Sequence, residues 1–190
     1  MFHEEHRGLQ GSLDRYTDLV ARWAGPLGLV ASGDRERWQK RHLGDSLRAL
    51  PIVRGEPSGP AVDVGSGAGL PGVPLAIAQP DRPWTLIEPR RRRAAFLEEV
   101  VRRLDLDCRV VVATAEEAAR DPSLAGKHAV AVARALAPPR RSFALLQPLV
   151  RPGGIALVFV GRSADLPAEA EEPQEGLAIM RRGGPDVEEG

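Results

Sequence analysis

The stretch AVDVGSGAGLPGVPLAIA, residues 61–78, constrains the fold of this chain more than any other. A short apolar strand runs straight into glycines at 65, 67 and 69, and Pro71, a good first-turn residue, opens an apolar helix. Such a turn belongs to a doubly wound α/β sheet, where ligands bind at the carboxyl ends of strands. The glycines lack Cβ atoms, so a ligand can approach the backbone closely. A Walker A loop is excluded, because no Gly-Lys-Ser/Thr follows. Gly67, Gly69 and Gly72 do satisfy the dinucleotide spacing G-x-G-x-x-G. In that pattern the first glycine closes the strand, which Gly65 already does here. Pro71 also removes an N–H where a pyrophosphate needs donors. A bare structural turn is the remaining reading.

The rest of the chain repeats the strand–helix alternation. WTLIE (84–88), CRVVVA (108–113), HAVAVARAL (128–136) and IALVFVG (155–161) read as strands, the last introduced by Gly153-Gly154. Helices are expected through FLEEVVRRL (96–104), over 115–120 and near 140–150. Continuously apolar strands separated by helices predict a mostly parallel sheet covered on both faces, a Rossmann-like α/β fold. Ahead of it, Leu9, Leu13, Tyr16, Leu19, Val20 and Trp23 share one helical face, and Pro26 ends or bends that helix. A second helix is expected from near Asp34, carrying Trp38, Leu43, Leu47 and Leu50 and stopping before Pro51. Residues 1–60 thus form an N-terminal helical extension, 61–161 the core, and 162–190 an acidic segment. In that segment LAIMRR (177–182) is expected as one edge strand before a disordered end.

Composition limits the function classes. The 190 residues carry 26 basic and 26 acidic side chains, but eight acids and only two arginines fall in 163–190. The preceding residues therefore have a balance of +6, consistent with a polyanionic partner or simply with a solvated surface. The single cysteine, Cys108, excludes a disulfide framework and a cysteine zinc site, and within an apolar strand it reads as core. The four histidines have no metal-ligand spacing, so no metal is expected. No run approaches the ~20 apolar residues of a membrane span, and no signal-peptide core is present. A cytoplasmic monomer is expected.

Asp63 stands just before the loop, and the D-x-G-x-G-x-G arrangement resembles motif I of class I S-adenosylmethionine-dependent methyltransferases. Glu88, 23 residues after Gly65, closes the second strand where a carboxylate accepts hydrogen bonds from ribose hydroxyls. That supports a nucleoside-containing cofactor without choosing between this one and NAD. Ala115-Glu116 follows the third strand, on the adenine side in methyltransferases; alternatively Glu116 only begins a helix.

More specific motifs accompany these: RHLGDSL (41–47), LPGVP (70–74), E-x-x-x-R-R-x-x-FL (88–97) and ARALA (133–137). Across roughly residues 9–161 the chain resembles the bacterial 16S ribosomal RNA guanine-N7 methyltransferases (RsmG, or glucose-inhibited division protein B). The resemblance implies S-adenosylmethionine as cofactor and 16S ribosomal RNA, or the 30S subunit, as partner. By it, Asp63, Gly65 and Leu70 belong to the cofactor loop, with Gly67 and Gly69 leaving room. Glu88 is the ribose ligand, Ala115 and Glu116 are the adenine-side pair, and Arg134 lies beside the methionine end and the target base. Arg134 then bonds either the guanine O6 edge or the cofactor carboxylate; a surface salt bridge is the bland reading.

Guanine N7 has a free lone pair, so this chemistry needs alignment rather than a general base. The stretch Ala137-Pro138-Pro139-Arg140 lacks the amide and aromatic of exocyclic-amine methylases. Phosphate contacts are expected from Arg35, Arg37, Lys40, Arg41 and Arg48, and from Arg90, Arg91, Arg92 and Arg93, unless that run is only a solvated face. His42 and Asp45 are expected to pack against the cofactor loop. The chain departs from the family at Val30-Ala31-Ser32-Gly33, at Val160-Gly161, and in a tail without a clear final strand pair. Those departures keep a methyltransferase-like RNA-binding protein with weak or no catalysis as an alternative. A small-molecule methyltransferase and an NAD oxidoreductase fit the residues less well.

Overall fold

Four enclosed residues, Ala61–Val64, make β1 at the heart of a seven-stranded sheet ordered β3-β2-β1-β4-β5-β7-β6. The computed structural model describes residues 2–27 and 39–183. Strands β2 (Trp84–Ile87) and β4 (His128–Arg134) flank β1 in parallel, and β3 (Cys108–Val111) and β5 (Val150–Phe159) extend the parallel set on either side. All four residues of β1 and of β2 are buried, as a parallel strand covered on both faces requires.

Alternation within these strands assigns the two faces. Val62, Val64, Ala131, Ala133, Ala156 and Val158 pack beneath α6 (Ala115–Arg120) and α7 (Pro139–Leu146). Opposite them, Leu86 packs with α1 (Phe2–Leu27) and α5 (Arg91–Leu104). On that same side Ala61, Val130, Val132 and Leu157 meet α3 (Leu50–Gly55) and α4 (Gly72–Ala78). The amphipathic stripe read from Leu13, Tyr16, Leu19 and Val20 is the buried face of α1.

Some boundaries differ from expectation, each for a local reason. The predicted helix from Asp34 falls partly outside the described residues. Its described end is a π-helical turn, Gln39–Leu43, followed by the single turn α2 (Gly44–Leu47). Pro51 does not end a helix; it sits in the first turn of α3, where a missing N–H breaks no bond. Strand β5 begins at Val150, so Gly153-Gly154 lies inside it and accompanies a register shift against β4. A Cβ at Gly154 would stand 2.5 Å from the Ala129 carbonyl oxygen, which is why the strands approach there only with glycine.

The tail also needs correcting. Residues 171–181 form an antiparallel hairpin of β6 (Glu171–Gln174) and β7 (Leu177–Arg181). LAIMR is not the edge strand, because β7 pairs with β5 along Ile155–Phe159 and with β6 on its other side. Leu177 and Ala178 are fully buried, and the exposed EEPQ segment is the true edge.

Candidate cofactor and RNA site

The loop after β1 is held by its own hydrogen bonds. Gly65 and Ser66 N–H donate to the Ile87 carbonyl, and Gly67 N–H to Glu88 Oε2 at 2.9 Å. Gly69 and Leu70 N–H donate to the Ser66 carbonyl, and Gly72 N–H to Asp63 Oδ2 at 3.1 Å. Val73 N–H closes on the Gly69 carbonyl. Most of the loop's amide donors are therefore already engaged within the protein, and a carboxylate already caps the first amide of α4. Acceptor chemistry remains, centred on Glu88. That arrangement suits a nucleoside held through its ribose better than a dinucleotide pyrophosphate.

The glycines divide by role. All three in 65–69 have positive φ, at 74°, 56° and 97°. Around Gly67 the nearest atom to an added Cβ is the Gly65 carbonyl oxygen at 3.8 Å, an ordinary contact that leaves the position uncrowded. At Gly69 the space is taken by protein: an added Cβ would meet Val73 at 2.6 Å and the Tyr16 hydroxyl at 3.1 Å. Of the two glycines expected to leave room, only Gly67 would take a Cβ without a close contact. At Gly65 an added Cβ would stand 2.9 Å from Leu136, so this turn packs on the segment after β4. Leu70 is half-buried and packs against the α1–α5 cluster.

Asp63 is enclosed by the fold, fully buried with Oδ2 on Gly72 and Oδ1 unpartnered among the described residues. Burial pushes its carboxyl up to about 7, against the opposing pull of the Gly72 N–H. It braces the loop from behind rather than facing a ligand. Glu88, 3% exposed, is oriented by two amides, with Oε1 accepting from Arg90 N–H at 2.9 Å. Each carboxylate oxygen keeps a lone pair for a ribose hydroxyl.

Sequence reasoning missed Tyr16. Its periodicity marks it as core, and it is fully buried, yet its hydroxyl donates to the Ala68 carbonyl at 2.6 Å. Burial, with Asp63 nearby, holds the phenol well above its ordinary pKa. The extension therefore reaches the glycine loop through a tyrosine that an apolar pattern hides.

Arg134 ends β4 and is followed by Ala135 at φ 53°, a left-handed conformation that side chains adopt at a cost. Its Nη2 lies 2.6 Å from His42 Nδ1, and its Nη1 donates to the His42 carbonyl at 3.3 Å. Asp45 Oδ2 stands 3.5 Å from Nη1, and the Phe159 ring centroid lies 6.0 Å from the guanidinium carbon. The RHLGDSL segment thus docks on the end of β4. Burial first, then Arg134 and Arg41, holds the His42 imidazole below its ordinary pKa.

On the third strand's side, Thr114 caps α6 in a reciprocal box with Glu117, and Ala115 is buried behind it. Glu116 instead pairs with Arg141 at 3.1 Å. Arg90, Arg91 and Arg92 are exposed at the start of α5 and Arg93 is half-buried, without an acid in that first turn. Arg41 is exposed; Arg35, Arg37 and the side chain of Lys40 lie outside the described residues. Burial pushes the Cys108 thiol up to about 12, which removes it as a nucleophile. Among the described residues no acid–His–Cys cluster has the grouping to hold a metal ion, and no helix is long and apolar enough to cross a membrane.

A family profile described as "rRNA small subunit methyltransferase G" matches residues 9–180. The chain belongs to that family. Every described site residue above falls inside the match, which continues past the sequence motifs to take in the β6–β7 hairpin. Relatives named ribosomal RNA small subunit methyltransferase G include that of Acidiphilium cryptum, 42% identical, covering 84% of this chain and 72% of the relative. The Frankia casuarinae protein is 37% identical over 90% of this chain and 63% of its own length. The Mycobacterium leprae protein is 44% identical over 77% and 59%. The chain thus spans about three fifths to three quarters of the length of these relatives.

Solved structures support the fold of this methyltransferase G family member. A Corynebacterium glutamicum protein superposes with a TM-score of 0.61 at 16% identity, over 93% of this chain and 92% of the other. A geranyl diphosphate methyltransferase in complex with GPP and sinefungin gives 0.56 at 15%, over 80% and 66%. The shared architecture is the Rossmann-like sheet of S-adenosylmethionine-dependent methyltransferases.

Proposed function

We propose that this chain transfers a methyl group from S-adenosylmethionine to N7 of a guanine in 16S ribosomal RNA. The observation that carries the reading is the family match across residues 9–180, within which the glycine loop, Glu88 and Arg134 all lie. In this reading Gly65, Gly67 and Leu70 line the cofactor loop, with Asp63 and Gly69 supporting it from behind. Glu88 accepts from the ribose hydroxyls, and Ala115 and Glu116 border the adenine. Arg134 faces the methionine end and the target base. The extension before residue 61 is part of this site through Tyr16 and His42.

When bound, S-adenosylmethionine would supply an electrophilic methyl: the N7–CH3 bond would form as the S–CH3 bond breaks. S-adenosylhomocysteine would leave as a neutral thioether and the positive charge would pass to the guanine, so that no proton has to be removed by a general base. The residues present agree with that demand. Glu88 is committed to two amides, Tyr16 to Ala68 and His42 to Arg134, so each serves to position. Orientation of this kind supplies roughly 7–11 kcal/mol in favourable cases. RNA affinity comes from phosphate contacts at Arg41 and Arg90–Arg93, with Arg37 and Lys40 as further candidates.

The test is methyl transfer from labelled cofactor to 30S subunits, free 16S RNA and transfer RNA, with the labelled base mapped. The expected result is a single 16S guanine labelled at N7. Tight binding of S-adenosylhomocysteine with no label in any RNA overturns the reading.

A further inference from the structure

We propose that His42 is a positioning residue for Arg134, working as a neutral imidazole whose Nδ1 accepts the guanidinium and fixes it at the end of β4. The inference rests on the role given to Arg134 above. Its first support is geometric. A guanidinium stays protonated at every working pH and only donates. At 2.6 Å from Nη2, His42 Nδ1 must therefore be the acceptor, which leaves the ring proton on Nε2. The His42 carbonyl takes Nη1 at 3.3 Å, so one residue holds the guanidinium through both its ring and its backbone.

The other partners do not substitute for this grip. Asp45 is shared, with Oδ1 on Arg48 at 3.1 Å and Oδ2 3.5 Å from Arg134. Ser46 Oγ is 3.5 Å from Nη1 and donates its own proton to the His42 carbonyl at 2.7 Å. Phe159 supplies a ring 6.0 Å from the guanidinium carbon, which limits its swing without directing its hydrogens. The short, directional contact is the one from the imidazole.

This arrangement makes the site sensitive to acid. Among the described residues, the charged groups facing the ring are Arg134 from β4 and Arg41 and Asp45 on its own segment. Burial and the two arginines oppose a second ring proton, and Asp45 favours it. The folded protein thus prefers the neutral ring, and the grip is complete above the ordinary imidazole pKa of about 6.5. As the pH falls further, through the lowered value of the folded protein, protonation turns the acceptor into a donor aimed at a cation, and Arg134 is released.

Two variants separate positioning from packing. His42→Asn places an amide oxygen near the Nδ1 position and does not titrate; His42→Leu keeps bulk and removes the acceptor. Transfer to the RNA substrate is measured from about pH 5 to about pH 8, alongside S-adenosylhomocysteine affinity and thermal melting. His42→Leu is expected to lose about tenfold to a hundredfold in kcat/KM, the range for losing a hydrogen bond to a charged group. His42→Asn recovers most of that loss, and its profile lacks the part of the acid limb that His42 contributes, leaving only what other groups such as Asp63 supply.

A second readout needs no activity and uses the unaltered fold. Nitrogen NMR of the wild-type protein at neutral pH is expected to find His42 Nδ1 unprotonated. In Arg134→Met the ring is expected to titrate closer to the ordinary value. An acid limb in His42→Asn identical to that of the wild type, a protonated Nδ1, or a His42 titration unmoved by Arg134→Met each overturns the proposal. If the wild type methylates no RNA, the functional reading fails while the NMR measurements still decide the role of His42.

Discussion

Gly67 in the loop and Gly72 at the start of α4 stand five residues apart and do opposite jobs. An alanine methyl at Gly72 would come within 2.6 Å of Asp63 Oδ2 and 2.7 Å of Leu86, both fully buried. The backbone there cannot shift without breaking the Gly72–Asp63 hydrogen bond, so Gly72→Ala is expected to cost about 1–3 kcal/mol or more as an overpacked core position. At Gly67 the same methyl makes only an ordinary 3.8 Å contact with the Gly65 carbonyl oxygen, and the cost is the left-handed φ, roughly 1–2 kcal/mol. Its methyl would occupy the side where the cofactor is proposed to lie. Denaturant melts paired with calorimetry on S-adenosylhomocysteine check the contrast. Gly72→Ala should move the melt most, whereas Gly67→Ala should weaken cofactor binding by about tenfold or more beyond its stability loss. Equal effects of the two substitutions on both measurements would sink the division of roles.

At the level of elements, the sheet of the core was legible and its far edge was not. Strands such as Val62–Val64 and Val130–Ala133 announce themselves because both faces are covered, so nearly every position is apolar. The segment EEPQ has no such signature: an edge strand with one free side carries charge and proline to prevent further pairing. It becomes a strand only because β7 is there to pair with, and β7 is interior only because EEPQ covers it. That mutual dependence is invisible to any window of a few residues. The same limit applies to the site. Glu88 was proposed from its place at a strand end and Arg134 from the family resemblance, whereas periodicity showed which face Tyr16 occupies and not that its hydroxyl reaches Ala68. The interior position of β7 has a measurable consequence. Leu177 is fully buried against Leu157 and its neighbours, so Leu177→Ala is expected to lose about 2–5 kcal/mol in a urea melt. A loss below ~0.5 kcal/mol, typical of an exposed position, would return the tail to a loose appendage.

Over the whole molecule, the sheet order holds the arginines at the start of α5 away from the acids beside β6, although the formal net charge is zero. The arginines at the start of α5 stand on the helix that packs over β2 at Leu86, while the acids of 169–175 lie along β6. Five strand spacings separate β2 from β6, about 24 Å at ~4.8 Å each. At physiological ionic strength that is about three Debye lengths of ~8 Å, so the acidic edge barely screens the arginines. Several acids of the tail are also occupied locally, Asp165 by Arg140 at 2.7 Å and Glu175 by Arg162 at 3.2 Å. Arg91–Arg93, by contrast, sit against the positive end of their own helix dipole, with no ion pair among the described residues. Such a placement disfavours the helix by a few tenths of a kcal/mol per charge and becomes favourable when an anion binds. Phosphate contacts there should be read directly by salt. Replacing Arg91 or Arg92 with Gln is expected to lower the slope of log affinity for 16S RNA against log salt by about one unit each. Replacing Glu169 and Glu171 with Gln should leave that slope where it is. Should the acidic pair change the slope as much as the arginines do, the two charge populations act as one field, and the separation by sheet order carries no weight for RNA binding.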